Sequence, residues 1–234
     1  MIYEPRTKAP NKDDPNWYSD RNVFHCKDKT GERPYKMPNC TTYVQGDWLS
    51  RYDIDTLCRG NAGGWIDEAK KKGKYKISQT PKLGAIAVWK IPGTKNSGHV
   101  AIVEKIENNA DIVTSNSAYK GTPWWLETFK AESNYAWTSS KTGKRYELQG
   151  FILPPCECRE PEKDMTVVGM PILRLKAGKK GKGIIGMKEK WVFHYLGIYD
   201  IIDSEKWLYG YYNCYNSNGK PIRFGGWTEA KNLR

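Results

Sequence analysis

The sequence predicts an α+β domain followed by a small all-β domain, and three observations carry that expectation. Helical patterns come before Gly73, strand patterns follow it, and Pro154-Pro155 with a charged stretch behind it divides the chain. Helices first and antiparallel strands after is the α+β order. The roughly 70 residues at the end carry short alternating segments, which suggest a small β-barrel.

Each element has its own reason. Residues 39–47 open a helix with Asn39 as N-cap, because an Asn side chain satisfies a free amide of the first turn. Residues 65–72 form a second short helix, stopped by Gly73. Strands are expected at 85–89, 99–103 and 111–114, and Phe151-Ile152-Leu153 is the last, since Pro154-Pro155 forbids its continuation. Residues 156–164 are charged and poor in apolar side chains, as linkers are. The expected division is 1–155, a linker at 156–164, and 165–234. In the last part, 191–195 and 207–212 read as strands, and Asn216-Ser217-Asn218-Gly219 supplies a hairpin turn.

Composition narrows the function. The 234 residues hold 38 Lys+Arg against 26 Asp+Glu, a net charge of +12. Residues 165–234 carry 12 Lys/Arg and 5 Asp/Glu, so a net +7 sits on the shorter part. Such charge calls for an acidic partner: nucleic acid, anionic membrane or anionic wall polymer. Aromatic residues at 13%, with 10 Trp and 15 Tyr, exclude a disordered polycation. No apolar run approaches the roughly 20 residues of a membrane span. The first residues show no secretion-signal pattern, so the product is expected to start in a cytosol. Six scattered cysteines suit a reduced compartment better than a disulfide framework.

Cys40 follows Met37-Pro38-Asn39, which puts it in the first turn of the first helix. Helix dipole and free amides there are expected to lower a thiol pKa and to donate to an oxyanion. His99 opens a strand after a Gly/Ser/Asn loop and suits a general base. A Cys at a helix start, a strand His and a later polar residue follow the papain-like order. Upstream, Asp20, Asn22 and Asp28 space oxygen ligands as calcium loops do, although the Gly of an EF-hand turn is missing. Cys156, Cys158, Cys214 and His194 have the wrong spacing for zinc.

Five segments in order carry a family resemblance: residues 37–44, 80–89, 98–104, 114–119 and 149–152. They read MPNCTTYV, TPKLGAIAVW, GHVAIVE, TSNSAY and QGFI. Together they resemble a CHAP domain, the cysteine, histidine-dependent amidohydrolase/peptidase of phage and bacterial wall lysins. The resemblance implies a papain-like α+β fold with Cys40 as nucleophile, His99 as base and Asn116 as orienting third member. Many relatives carry Glu in that third place, and Glu104 is nearby, so Asn116 and Glu104 both stay open. Some CHAP lysins bind calcium just before the nucleophile, which supports Asp20, Asn22 and Asp28 by analogy.

The last residues, Arg223-Phe224-Gly225-Gly226-Trp227-Thr228 and Asn232-Leu233, resemble the closing strands of a bacterial SH3-like wall-binding domain. The whole then reads as a phage endolysin that hydrolyses an amide of Gram-positive peptidoglycan, as N-acetylmuramoyl-L-alanine amidase or peptide endopeptidase. Expected partners are peptidoglycan and wall polymers, not nucleic acid or membrane. The alternative is a non-enzymatic basic binder of wall or nucleic acid. Made in the host cytoplasm, a lysin reaches the wall at lysis. Met165 and Met170 precede the last part, so internally initiated copies of it would assemble with the full chain.

Overall fold

The computed structural model describes residues 1–215 and 220–234; the hairpin turn expected at 216–219 lies outside the described residues. Few helices and many strands make up the chain, which divides into two compact units. One comprises Glu4–Ile106 and Asp111–Glu157; the other comprises Met1–Tyr3, Glu107–Ala110 and Cys158–Arg234.

In the larger unit the helices are α1 (Pro15–Tyr18), α2 (Cys40–Tyr52) and α3 (Trp65–Lys72). Asn39 caps α2 as expected, its side chain accepting from the Thr41 amide, and Gly73 ends α3 in the left-handed region at φ +65°. Helix α1, too short to show a periodicity, was not anticipated. The strands are β1 (Ile77–Ser78), β2 (Ile86–Lys90), β3 (Gly98–Ile106), β4 (Ile112–Asn116), β5 (Trp125–Phe129), β6 (Trp137–Thr138) and β7 (Arg145–Ile152). They pair antiparallel in the order β1-β7-β2-β3-β4-β5, with β6 alongside β7.

Strand pleating sends alternate residues to opposite faces. Ile86 and Val88 of β2 and Val100 and Ile102 of β3 join a core with Tyr43, Val44 and Trp48 of α2 and Trp65 of α3. Trp89 and His99, register partners, belong to the other pleat. Both faces of β2 are therefore covered, which explains its unbroken apolar run Ile86-Ala87-Val88-Trp89. Gly98 is obligatory at the start of β3. A Cβ there would lie 2.0 Å from the Trp89 carbonyl oxygen and 2.7 Å from Gly63 Cα, so any side chain would push the strand away.

The chain before α2 is locked onto the helix. Trp17 is fully buried, its indole N–H donates to Tyr43 O at 3.0 Å, and its ring fills the place a Cβ of Gly46 would occupy. Arg6 and Arg51 then meet two buried carboxylates. Arg6 Nε lies 3.0 Å and Arg51 Nε 2.8 Å from Asp47, while Arg51 Nη2 lies 3.0 Å from Glu104.

The smaller unit contains β8 (Lys163–Thr166), β9 (Ile172–Arg174), β10 (Gly183–Gly186), β11 (Val192–Ile202), β12 (Glu205–Tyr215) and β13 (Pro221–Glu229). Their order is β10-β9-β13-β12-β11-β8. No pairing joins β10 to β8 among the described residues, so the closed barrel expected from the sequence is not seen. The segment expected as linker also enters this sheet, because Lys163 and Asp164 pair with Tyr195 and His194. Phe193, Tyr195, Trp207 and Tyr212 are buried here, filling its core. Tyr209 with Trp227 and His194 with Tyr211 form partly exposed ring pairs, with the Arg223 guanidinium 4.1 Å from the Tyr211 ring centroid.

Candidate active site

Cys40 is the first residue of α2, where a backbone N–H has no partner within the helix. Its side chain is buried, and the amides of Val100, Thr41 and Cys40 itself point at the sulfur. Burial outweighs those amides and pushes the thiol up. The lowering expected from the helix dipole is thus reversed by desolvation, a term a local pattern does not contain.

His99 is one residue along β3 from the amide that faces the sulfur, and its Nε2 lies 3.0 Å from Asn116 Oδ1. The amide orientation of Asn116 is decided beneath it, because Nδ2 donates at 2.9 Å to both the carbonyl and the hydroxyl oxygen of Thr114. Oδ1 must then face the imidazole, which makes Nε2 the protonated nitrogen and leaves Nδ1 as the free base. Burial drives the imidazole down to about 4, with the Asn116 bond offsetting part of that fall. At neutral pH the resting pair is an uncharged imidazole and a protonated thiol.

Glu104 is placed elsewhere. Its oxygens accept from Arg51, from the Arg6 amide at 2.8 Å and from Ser115 Oγ at 2.6 Å. Tyr43 of α2 donates to Ser115 at 2.8 Å, so this buried chain ties α2 to β4 one residue before Asn116. Of the two residues left open for the third place, Asn116 is the one bonded to His99.

Aromatic side chains surround the imidazole. Trp125 stacks near-parallel at 6.1 Å, Trp137 meets it edge-on at 6.1 Å, and Trp89 packs at the same spacing. A cavity of about 340 Å³ opens beside His99 and Asn116, lined also by Trp125 and Trp137. Tyr146 stacks on Trp137 at 4.2 Å, and burial, with the Cys40 thiol as a lesser contributor, raises its hydroxyl pKa. Trp89 falls in the strand expected at 85–89, whereas Trp125, Trp137 and Tyr146 were not singled out from the sequence. Those three lie 26 or more positions past the base, and only the sheet order brings them to it.

The three metal candidates do not form a cage. Asp20 is paired with Arg33, Asn22 donates to Asn16 O and Thr42 O at 2.9 Å, and Asp28 Oδ1 closes a turn onto Thr30 and Glu32. Each of the three is thus engaged in a local bond of its own. No other cluster of metal-binding side chains occurs among the described residues. No described helix is long and apolar enough to cross a membrane.

Two curated relatives from Staphylococcus aureus align over 91 residues, 38% of this chain. An N-acetylmuramoyl-L-alanine amidase domain-containing protein is 33% identical, and the chain spans 14% of its length. Staphylococcal secretory antigen ssaA2 is 35% identical, and the chain spans 31% of it. A crystal structure of N-acetylmuramoyl-L-alanine amidase from the same species is 28% identical, covering 54% of this chain and 33% of that one, with a TM-score of 0.37. The crystal structure of Ly7917 is 16% identical, covers 81% of this chain and 83% of that one, and has a TM-score of 0.35. Overlays that loose establish no common fold. The stretch that holds Cys40, His99 and Asn116 is nonetheless matched by a known family: residues 30–118 match the CHAP domain.

Proposed function

We propose that the chain is a peptidoglycan hydrolase of the phage-endolysin type, with Cys40 as nucleophile and His99 as base. The CHAP match and the amidase-domain relative support hydrolysis of wall peptide amides. The observation that carries the mechanism is the His99–Asn116 bond, which leaves Nδ1 as the basic nitrogen at the residue next to the amide facing the Cys40 sulfur.

In the reaction the Cys40 proton passes to His99 Nδ1 as the sulfur attacks the amide carbonyl. The Cys40 backbone N–H stabilises the resulting oxyanion. His99 then returns the proton to the leaving amine, giving a thioester. Water, deprotonated by His99, releases the acid and restores the thiol. Asn116 keeps the imidazole in the required tautomer throughout.

The smaller unit is proposed as an SH3-like wall anchor. Residues 165–234 within it carry a net +7, and these with its exposed Arg223 and partly exposed Tyr211 and Trp227 suit an anionic polymer, while tethering would raise the catalyst's effective concentration. Turbidity of Gram-positive cell-wall suspensions tests the reading. The chain should clear them, while Cys40→Ser should bind walls and leave turbidity unchanged. Clearing by Cys40→Ser would remove the nucleophile assignment. Mass spectrometry of the released fragments decides between muramoyl–alanine amidase and peptide endopeptidase.

A further inference from the structure

A second cavity, about 610 Å³, lies beside the segment that leads into the nucleophile. It is lined by residues of the loop before α2, including Lys36, Met37 and Pro38, and by Tyr119 and Lys120 after β4. The two walls are joined, since the Lys120 amide donates to Pro38 O at 3.1 Å. Lys120 is held at φ +49°, the left-handed region that a residue with a Cβ adopts at a cost of about 1 kcal/mol or more. That strain is fixed by the bond to Pro38, which sets the base of the Lys120 side chain on the cavity wall.

The charges at this cavity are unbalanced. Arg33 lines it, but its guanidinium is spent on Asp20 and the His25 carbonyl. Glu32 is the acid among the lining residues. Lys36 and Lys120 have no carboxylate partner among the described residues, and the Lys120 ammonium lies 5.3 Å from the Tyr119 ring centroid. Two lysines without a carboxylate partner among the described residues thus line one concavity, adjoining the chain segment that carries Cys40.

We propose that this cavity is a carboxylate subsite: Lys36 and Lys120 bind a free carboxylate of the wall stem peptide within a few residues of the scissile amide. The inference rests on the proposed peptidoglycan hydrolysis and adds which part of the substrate is read. The aromatic cavity beside His99 takes one side of the scissile bond, and the basic cavity takes the charged peptide side. Amidation of that carboxylate removes its charge, so the subsite discriminates between amidated and free wall peptides.

The test uses the full chain and two synthetic muramyl peptides that differ only in whether their side and terminal carboxylates are free or amidated. The native protein is expected to favour the free form about tenfold or more in kcat/KM, through KM, with the preference shrinking at high salt. The double variant Lys36→Met, Lys120→Met should lose that preference, its KM for the free peptide rising to that for the amidated one, while its Tm stays unchanged. Equal kcat/KM on both peptides by the native chain, or a preference retained by the double variant, overturns the subsite. Failure of the native chain to cut either peptide overturns the hydrolase reading itself, and the subsite with it.

Discussion

Asn116 acts on His99 through a single oxygen, and its direction is set by Thr114 rather than by the histidine. Replacing Asn116 by Ala frees the imidazole to rotate and to adopt the other tautomer, so kcat for wall clearing should fall by two orders of magnitude or more, with substrate binding retained. The pH dependence follows from the same bond and from burial. His99 is driven down to about 4 in the fold, below its ordinary 6.5, so the unfolded chain takes up the proton first as pH falls. Stability from this group is therefore complete above pH 6.5 and is lost between there and about pH 4, by about 3 kcal/mol. Denaturant unfolding at pH 7 and pH 4.5 should show that slope, and His99→Gln should flatten it. Asn39 and Cys40 were legible because the cap and the proposed nucleophile are neighbours in sequence. Trp137 and Tyr146 were not, because no local spacing records which strand ends beside which. The thiol's raised pKa and the dispersal of Asp20, Asn22 and Asp28 were hidden for a related reason: both depend on neighbours that folding supplies.

At the level of elements, α2 and α3 were readable from their caps, and β2 and β3 from their apolar runs. Strands β5 and β6 were not, since β5 lies largely exposed and β6 has two residues. What fixes α2 against the sheet is the buried ionic cluster at its far end. Removing one guanidinium leaves buried carboxylates with too few counter-charges, which costs about 3–5 kcal/mol. Arg51→Met, which loses contacts to both Asp47 and Glu104, should lower unfolding free energy by about that amount in a urea titration. Arg6→Met should cost less, because Asp47 keeps Arg51. Gly98→Ala belongs to the same scale. Its Cβ would overlap the Trp89 carbonyl, so the variant should lose both stability and clearing activity, as read by Tm and turbidity.

For the whole molecule, the internal initiation expected from the sequence would have a structural consequence that depends on which methionine is used. Met165 is buried in β8, and a product starting at Met170 would lack that strand altogether. Since β8 is the edge partner of β11, a fragment from Met170 should expose the β11 edge and self-associate, whereas one from Met165 keeps two of the four β8 residues. Sedimentation of both fragments distinguishes them: a monomeric Met170 fragment would contradict the assigned strand order.

The buckle that Arg6 and Trp17 make on α2 bears on how the proposed catalyst can be cut out and reused. The family match begins at residue 30, and a designer who trusts that boundary would start the gene there. Such a truncation would strip one guanidinium from Asp47 and the backbone donor from Glu104, and it would leave an indole-sized hollow over Gly46. Cys40, His99 and Asn116, the residues proposed to perform the chemistry, would all be present, on a helix no longer held against its sheet. The compact unit that holds these contacts begins at Glu4 and runs to Glu157, apart from Glu107–Ala110, and a chimera assembled from it should carry those first residues as part of the foundation of the proposed active site.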